Sequence, residues 1–487
     1  MPKSRRTSIG PPDPYDAYQS PLVARNASRD MAAVFSPRRR ALTWRRIWLA
    51  LAESQHEMGL PVSAAQVRAL RAKLERIDFD AIAKHEKALR HDVMAHLHAF
   101  GDLAPNARGI LHLGATSMDV VDNADLILMR EALGITGGWL VTALDAFAEQ
   151  MKTHRSLPCL GFTHYQPAQL TTLGKRCALW CWDIVRDLEA IDSLYAEMPF
   201  RGIRGATGTQ ASFLKLFDGA GAKVAKLEKL VAKKLGFNKC EPVCAQTYSR
   251  KLDAQVIAAL CNIAAGAHKF ANDIRLLANL KEVEEPFGRS QIGSSAMPYK
   301  RNPMLCERAT GLARFVIGLA QSAYQNAAEQ WLERTLDDSS NKRLLMPEAF
   351  LATDGILQIV VSVARGFVVY PEMIRARIDA ELPFMASENI LMAATAAGGD
   401  RQALHERIRR HSQDAANEVK RHGRPNDLLE RLKRDDAFAK VNFGRLLDPK
   451  AFVGLAPQQV DAFLKDVVAP LKKKHRTTAR REPEINV

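Results

Sequence analysis

Residues 256–277 read VIAALCNIAAGAHKFANDIRLL, and the spacing of their apolar residues predicts one long helix. The apolar positions are separated alternately by four and three residues, which places them on one face of an α-helix. Residues 133–151 and 173–195 show the same near-heptad spacing. Long helices with one apolar stripe each are typical of a bundle of roughly antiparallel helices. The stripe of the first segment consists of Val256, Leu260, Ile263, Ala267, Phe270, Ile274 and Leu277.

The rest of the chain predicts a mainly α-helical protein, because no run of alternating polar and apolar residues is long enough for a sheet. Two breaks interrupt the helical pattern: a loop-rich passage over residues 101–114 and the step from Tyr370 to Pro371. We take these breaks as domain boundaries. The predicted parts are a disordered arm over 1–20, an N-terminal helical domain over 21–116, a central long-helix bundle domain over 117–369 and a C-terminal helical domain with a basic tail over 370–487.

The 487-residue chain has a net charge of +15 and seven cysteines, and these values limit the classes of protein to which it can belong. Residues 1–10 carry +3 and residues 472–487 carry +4, so about half of the excess charge lies in the predicted tails. No zinc-finger, RNP or basic-zipper pattern accompanies the charge, and a polyanionic small substrate explains it as well as a nucleic acid does. The scattered cysteines indicate reduced thiols. With no apolar leader and no uninterrupted membrane-length stretch, we expect a cytoplasmic protein without a membrane partner.

Residues 293–303, GSSAMPYKRNP, carry a dense set of polar groups. The two prolines of this segment exclude a regular helix or central strand. Asn302 before Pro303 predicts an N-cap followed by the first residue of a helix. Lys300 and Arg301 would then lie beside a helix N-terminus, which favours anions. The alternative is an ordinary interhelical loop whose Gly and Ser give flexibility and whose cations give solubility.

Histidines provide a second set of candidates. His164 lies in GFTHYQP, which we expect to be a loop between two long helices. Taken alone, such a histidine is most often a surface or hydrogen-bonded residue. The spacing of His91, His96 and His98 puts no pair on one helix face at i,i+3 or i,i+4, so it does not predict a zinc site.

Two further segments combine hydroxyl and charged groups. Thr116 and Ser117 precede a predicted helix, where they serve either as helix caps or as ligands for a carboxylate. Arg334, Ser339 and Arg343 lie in a polar break between apolar helices. That break is either a solvated loop or a phosphate-binding segment.

Together these motifs resemble the fumarase/aspartase superfamily and, within it, the adenylosuccinate lyase family in its eukaryotic-type form. The loop and the His164 motif are shared by the whole superfamily, whereas RHDVMAH and ERTLDDS distinguish this family from fumarases, aspartases and argininosuccinate lyases. The resemblance covers residues 18–471. Asn26 is a departure, since the animal enzymes have Tyr there. The motifs include RHDVMAH (90–96), HLGATS (112–117), QTYSRK (246–251), GSSAMPYKRNP (293–303) and ERTLDDS (333–339).

The resemblance implies a three-domain fumarase/aspartase-like fold with a homotetrameric 20-helix core. It implies elimination of fumarate from adenylosuccinate, giving AMP, and from the succinyl-carboxamide ribotide SAICAR, giving AICAR. No metal or organic cofactor is needed for this reaction. Its purine ribotide substrates would be held by residues from different subunits.

The resemblance also implies roles for single residues. Ser294 would be the base, supported by Lys300, Arg301 and the helix start, and His164 would protonate the leaving nitrogen. His91 would orient the phosphate end or support the acid. The succinyl part would be bound by Thr116, Ser117, Gln246 and Asn302, and the phosphate and nucleotide by Arg25, Arg334, Ser339 and Arg343. The further substrate-binding candidates are Asn26, Arg90, Asp92, Thr163 and Arg308.

Long helices lie between the His164 and Ser294 loops, which are 130 residues apart. The two loops can therefore lie at opposite ends of one subunit, and an antiparallel tetramer would join the loop of one subunit to that of another. Two alternatives stay open at this point. One is another lyase of the superfamily, such as an argininosuccinate lyase, and the other is a helical scaffold that binds nucleic acid through its basic tails.

Overall fold

A computed structural model describes residues 16–288 and 290–485, with the side chain of Arg445 excepted. The predicted arm over 1–20 lies mostly outside these residues. The first regular element is a π-helical turn, Leu22–Asn26. The helices that follow are α1 (Arg29–Val34), α2 (Pro37–Glu57), α3 (Ala64–Ala72), α4 (Phe79–Leu89) and α5 (Asp92–Leu103), and a 3₁₀ turn covers Pro105–Ile110.

Long helices dominate the middle of the chain. All seven stripe residues of the 256–277 segment are buried, as the spacing predicted. Tyr195, the last stripe residue of the 173–195 segment, is instead exposed. The helices are α6 (Ser117–Thr153), α7 (Leu173–Glu197), α8 (Ala211–Leu216), α9 (Gly221–Lys234), α10 (Lys251–Asn279), α11 (Met304–Gly318), α12 (Ala320–Ala328) and α13 (Asp337–Gly366).

Short strands connect the long helices at one end of the bundle, and the helical pattern did not predict them. An antiparallel hairpin joins α6 to α7, which begins at Leu173 directly after the second strand. The sequence pattern did not predict the hairpin because neither strand alternates regularly between buried and exposed residues, and the register shifts between Leu160 and Phe162. The strands are β1 (Pro158–Thr163), β2 (Gln166–Thr172), β3 (Val283–Glu284) and β4 (Val368–Val369), with β1 paired to β2 and β3 to β4.

Side-chain contacts fix the direction of the long helices. Arg250, which precedes α10, bonds Asp122 in the first turns of α6, so α6 and α10 begin at the same end. Near the other end, the indole N–H of Trp180 in α7 donates to Asp273 in α10 at 2.7 Å. We call these the Thr116 end and the hairpin end. The 29 residues of α10 separate them by about 42 Å at 1.5 Å per residue.

The C-terminal part contains shorter helices packed on their own apolar cluster, which includes Ile390, Leu404 and Phe438. Its helices are α14 (Pro371–Met385), α15 (Ser387–Ala396), α16 (Arg401–His422), α17 (Leu428–Lys433), α18 (Phe443–Leu446), α19 (Ala456–Phe463) and α20 (Ala469–Lys474).

Residues 475–485, expected as a basic tail, lie along the bundle and pair with its acids. Arg480 bonds Asp145 at 2.6 Å, and Arg481 pairs with Asp30 at 3.1 Å. Lys472 also pairs with Asp145. Much of the tail charge is therefore neutralised within the chain, which leaves less of it free for a nucleic acid.

Among the described residues, α6 and α13 are long and apolar enough to cross a membrane, which differs from the expectation that no stretch approaches that length. However, 67% and 83% of their most apolar windows are buried inside the protein. Such burial is typical of core helices, whose apolar composition resembles that of membrane-spanning helices.

Candidate active site

A cleft of about 140 Å³ opens at the Thr116 end, between α2, α6 and α13. Three predicted nucleotide-binding residues, Arg334, Ser339 and Arg343, line it. Arg334 precedes α13, and the other two residues lie in the first two turns of that helix. The polar break predicted around these three residues therefore ends at Leu336, before Ser339 and Arg343. Apolar side chains form much of the remaining wall: Phe35, Trp44, Met118, Val121, Leu128, Met129, Met346 and Pro347.

The RHDVMAH motif is joined to this cleft by one ion pair. Arg343 donates to the Asp92 carboxylate at 2.7 Å. Burial acts to raise the pKa of Asp92, but the bond from Arg343, the backbone N–H of Val93 and His91 outweigh it and lower that pKa. His91 is the N-cap of α5, and its ring nitrogen accepts the N–H of Met94 at 3.4 Å.

Arg90, just before His91, ends α4 in the left-handed conformation with φ of 52°. Non-glycine residues adopt this conformation rarely, and when they do they often lie at functional sites. The backbone thus reverses sharply at the motif, which leaves Arg90 and His91 exposed beside the half-buried Asp92.

A buried ion network forms the floor of the cleft. Arg250 bonds Asp122 at 3.1 Å and Asp338 at 2.6 Å, and Lys342 pairs with Asp125 at 2.9 Å. Burial opposes ionisation of Asp122, but the surrounding cations lower its pKa. Arg250 and Lys342 were not among the residues predicted for the site. The feature of the sequence that could have indicated them is their position: Arg250 lies within the QTYSRK motif, and Lys342 lies three residues after the ERTLDDS motif.

Thr116 and Ser117 begin α6 at the same end. Asp119 accepts the backbone N–H of Thr116 at 2.8 Å, so capping accounts for part of this motif. Asp119 also accepts the backbone N–H of Arg204 at 2.7 Å, and it pairs with the buried Arg201. One carboxylate therefore holds the start of α6 against the loop of residues 201–210.

Gln246 lies beside both segments. Its side chain donates to the carbonyl of Ala206 at 2.8 Å, and its backbone N–H donates to the backbone carbonyl of Glu333 at 3.2 Å. It is thus next to Arg334. The structure brings together the candidates from four separate motifs at the Thr116 end: Arg90, His91, Asp92, Thr116, Ser117, Gln246, Arg334, Ser339 and Arg343.

His164 lies at the tip of the β1–β2 hairpin, not in an irregular loop. His164 and Tyr165 form the two-residue turn with φ of 51° and 57°. Positive φ at both residues is the conformation of a type I′ turn, which normally contains Asn or Gly at these positions. The turn leaves Thr163, His164 and Tyr165 exposed at the hairpin end.

The 293–303 loop starts at the same hairpin end, after β3. The Ser294 hydroxyl accepts the backbone N–H of Met297 at 3.1 Å, and the Asn302 side chain donates to the Gly293 carbonyl at 2.8 Å. Gly293 is required here, because an added Cβ would lie 2.2 Å from the Lys300 carbonyl oxygen.

The cations of the loop differ in their partners. Arg301 lies 3.5 Å from Glu284 and 3.4 Å from the Tyr370 hydroxyl. Lys300 is exposed. Of the two cations expected to support Ser294, Arg301 is thus paired with Glu284, whereas Lys300 makes no ion pair within the described part of the chain.

The predicted helix start is wrong in its details. Helix α11 begins at Met304, with Pro303 rather than Asn302 at the cap position and no side-chain cap. Glu285 accepts the N–H groups of Leu305 and Cys306 at 3.0 and 2.9 Å. These amides are therefore occupied by a carboxylate of the chain itself, and the helix start is not open to a substrate anion as expected.

The remaining candidates lie elsewhere. Arg25 and Asn26 lie against the middle of α13, where Gln358 donates to the Asn26 carbonyl at 2.8 Å and Gly355 touches Asn26. Gly355 is 16 residues, or about 24 Å, along α13 from Ser339. Arg308 lies one turn into α11 and lines a separate cavity near the loop.

The expectation that the His164 and Ser294 loops lie at opposite ends of one subunit is wrong. Both leave the bundle at the hairpin end, since α6 and α10 both run toward it. Instead, these two loops lie at the opposite end of the bundle from the cleft at the Thr116 end. Within one chain, the predicted acid and base are about a helix length from the predicted nucleotide site.

The chain is similar to known proteins in both sequence and structure. Residues 42–318 match a family model described as "Lyase", and residues 383–463 match one described as "Adenylosuccinate lyase C-terminus". The chain is 50% identical to the adenylosuccinate lyase of Saccharomyces cerevisiae, covering 97% of this chain and 99% of that protein. It is 50% identical to that of Schizosaccharomyces pombe (94% and 97%) and 32% identical to that of Bacillus subtilis (81% and 89%).

Solved structures share the fold. The 3-carboxy-cis,cis-muconate lactonizing enzyme of Pseudomonas putida aligns with a TM-score of 0.80 at 24% identity, covering 95% of this chain and 100% of that one. A fumarate lyase of Mesorhizobium sp. BNC1 aligns with a TM-score of 0.76 at 23% identity, covering 90% and 98%. At these identities the likeness concerns the fold alone.

Proposed function

Because the chain belongs to the adenylosuccinate lyase family of the fumarase/aspartase superfamily, we propose that it cleaves adenylosuccinate to AMP and fumarate, and SAICAR to AICAR and fumarate. The observation that carries this is the 50% identity to the Saccharomyces cerevisiae adenylosuccinate lyase over 97% of the chain. The reaction is a β-elimination that breaks a C–N bond. It places the protein in purine nucleotide biosynthesis.

The elimination needs a base near a developing negative charge. In our proposal, Ser294 removes the proton from the carbon beside the substrate carboxylate, and the electron pair forms the double bond of fumarate as the C–N bond breaks. The backbone N–H of Met297, which already donates to the Ser294 oxygen, favours its charged form. Lys300 adds a positive charge beside it.

The departing nitrogen takes up a proton, and His164 supplies it in this proposal. The strained hairpin turn supports that role, because it holds the imidazole clear of its own subunit. Thr163, next to it, would bind the substrate beside the acid. Arg301, Asn302 and Arg308 would contact the carboxylates from the loop side.

The nucleotide would bind at the Thr116 end. The cleft there combines cations for the phosphate with an apolar wall for the atoms next to it. Thr116, Ser117 and Gln246 would bind the succinyl part beside it. His91 would orient the phosphate end, with Arg90 and Asp92 around it.

A complete site requires more than one subunit, and we propose a homotetramer with shared active sites. The Thr116 end of one chain would meet the hairpin ends of its neighbours. Exposed apolar residues on the long helices support such packing: Phe315 and Tyr324 are 41% and 58% exposed, and Leu179 of α7 is 54% exposed. Arg25 and Asn26 would reach a neighbour's cleft in the same way.

A cytoplasmic location is part of the proposal, together with small ribotide substrates rather than nucleic acid or a membrane. The paired tail and the burial of α6 and α13 support it. No cofactor is invoked in any step, since the base, the acid and the cations are all side chains of the protein.

The test is a spectrophotometric assay of the purified protein with adenylosuccinate and no added metal. We expect AMP and fumarate to form in equal amounts. Argininosuccinate serves as the control substrate. Activity on argininosuccinate with none on adenylosuccinate would overturn the proposal.

A further inference from the structure

Five cationic side chains line the cleft at the Thr116 end, and three of them have acidic partners. Their charge is neutralised by the fold itself, so these three do not require a ligand. The paired cations are Arg250 with Asp122 and Asp338, Lys342 with Asp125, and Arg343 with Asp92.

The other two cations, Arg40 of α2 and Arg334, have no acidic partner within residues 16–288 and 290–485. One nitrogen of each guanidinium, Nε of Arg40 and Nη1 of Arg334, is buried without a hydrogen-bond partner. The Arg40 guanidinium lies over the ring of Trp44, 5.7 Å from its centroid. Burial, together with the charge of Arg40, lowers the pKa of the neighbouring His96, so this histidine does not neutralise Arg40.

Trp44 adds a third donor to the same wall. Its side chain is 1% exposed, and its indole N–H also has no partner. Buried donors are almost always hydrogen-bonded in folded proteins. Three of them around one cleft indicate a ligand that accepts hydrogen bonds, and two unpaired guanidinium groups indicate that this ligand is an anion.

The size of the cleft limits which part of a nucleotide it can hold. A cavity of about 150 Å³ accommodates one benzene ring. At about 140 Å³ the cleft therefore takes a phosphate group and its neighbouring atoms, not a whole nucleotide. The two positive charges match the two negative charges of a phosphate monoester.

We propose that Arg40 and Trp44 complete the phosphate subsite of this enzyme, with Arg40 as a second guanidinium facing the substrate phosphate beside Arg334. This rests on the proposed function, because it identifies the anion as the 5′-phosphate of the ribotide. Neither residue belongs to a motif that assigned the other site residues.

The experiment measures steady-state cleavage of adenylosuccinate by wild type, Arg40→Gln, Arg40→Lys and the control Arg46→Gln, which changes an exposed arginine of the same helix. Losing a charge-assisted hydrogen bond should raise KM about tenfold or more in Arg40→Gln, with kcat changed less than about threefold. Inhibition by inorganic phosphate should weaken by a similar factor. Arg46→Gln should match wild type.

A substrate without the phosphate, the nucleoside form of adenylosuccinate, separates recognition from a structural effect. Its kcat/KM should be the same for wild type and Arg40→Gln. An equal loss with both substrates, or an unchanged KM and phosphate inhibition, would overturn the inference. Should Arg40→Gln fail to fold, Arg40→Lys keeps the charge without the planar fork and should still raise KM severalfold.

The two proposals can fail separately. If wild type cleaves adenylosuccinate while Arg40→Gln keeps the wild-type KM, the subsite is wrong and the proposed function stands. If wild type does not cleave adenylosuccinate, calorimetric binding of inorganic phosphate still tests the subsite. Binding by wild type and its loss in Arg40→Gln would support an anion site, and equal binding by both would refute it.

Discussion

Single carboxylates organise the loops that carry the candidate catalytic groups. Glu285 accepts two N–H groups at the start of α11, directly after the 293–303 loop. Asp119 does the same for Thr116 and the backbone of Arg204. Both carboxylates are buried, and each joins segments far apart in sequence. Positioning at this scale is achieved by side chain-to-backbone bonds rather than by regular structure.

The first prediction concerns Ser294. Its replacement in Ser294→Ala removes the proposed base and the acceptor for the Met297 N–H, but little substrate-binding surface. We expect kcat to fall by orders of magnitude with KM changed only a few-fold, as measured by fumarate release. Ser295→Ala is the matched control, since Ser295 is exposed in the same loop. Near-normal turnover in Ser294→Ala with loss in Ser295→Ala would move the base to Ser295.

Helices also carry groups whose charge state depends on their packing. Asp187 of α7 is 7% exposed, and its carboxyl oxygen lies 3.7 Å from where a Cβ would be on Gly266 of α10. Burial, with a smaller contribution from Asp183, raises the pKa of Asp187 from 3.8 to about 7. Above pH 7 the folded chain must hold this charge in an apolar interface between two helices.

This predicts a pH-dependent gain in stability for Asp187→Asn. With its pKa raised in the folded state, wild type loses stability as pH rises from about 4 to 7 and stays at the lower level above that range. The variant should therefore melt a few degrees higher than wild type at pH 8, and the difference should shrink toward zero near pH 4. Thermal unfolding across this range measures it. Glu189→Gln, on the exposed face of α7, should show no such trend.

The tail is the second element with a testable role. Residues 475–485 connect α1, α6, α7 and α13 through pairs such as Arg481 with Asp30 and Glu482 with Arg365. Exposed pairs contribute at most about 1 kcal/mol each. Deleting residues 476–487 should lower Tm by a few degrees and leave kcat unchanged. Lys473→Gln, which changes an exposed residue of α20 just before the tail, is the control. An unchanged Tm on deletion would show that the tail does not stabilise the bundle.

At the scale of the whole molecule, the separation of the two ends predicts complementation between inactive variants. Ser294→Ala damages the hairpin end and Arg334→Glu damages the Thr116 end, about 42 Å away in the same chain. After mild denaturation and exchange of subunits, a mixture of the two should regain part of the wild-type activity, because some shared sites contain both intact ends.

The control for this exchange is wild type treated in the same way, which must recover its activity. Each variant exchanged with itself should stay inactive. If the mixed variants stay as inactive as their parents while wild type recovers, each active site is built within one chain. Recovery without exchange would point instead to contamination of one of the two preparations.

Local sequence patterns were enough to predict the helical bundle and to name the candidate groups of the loops. The spacing of the apolar residues over 256–277 predicts which face of the helix is buried, because residues four and three apart lie on one side of a helix. The motifs around Ser294, His164 and Arg334 likewise name their groups without reference to the fold, and they identified the family that the comparisons then supported.

Features that depend on pairing between distant segments are visible only in the folded chain. The fold places His164 on a hairpin, puts its loop and the Ser294 loop at one end, and gives two N–H groups of α11 to Glu285. Among the described residues, it also leaves Arg40 in the cleft without an acidic partner. None of these follows from local pattern, because each depends on which side chains meet across the bundle. Which side chains meet depends on the direction in which each long helix runs. That direction is determined by packing between the helices and not by the sequence of a single helix.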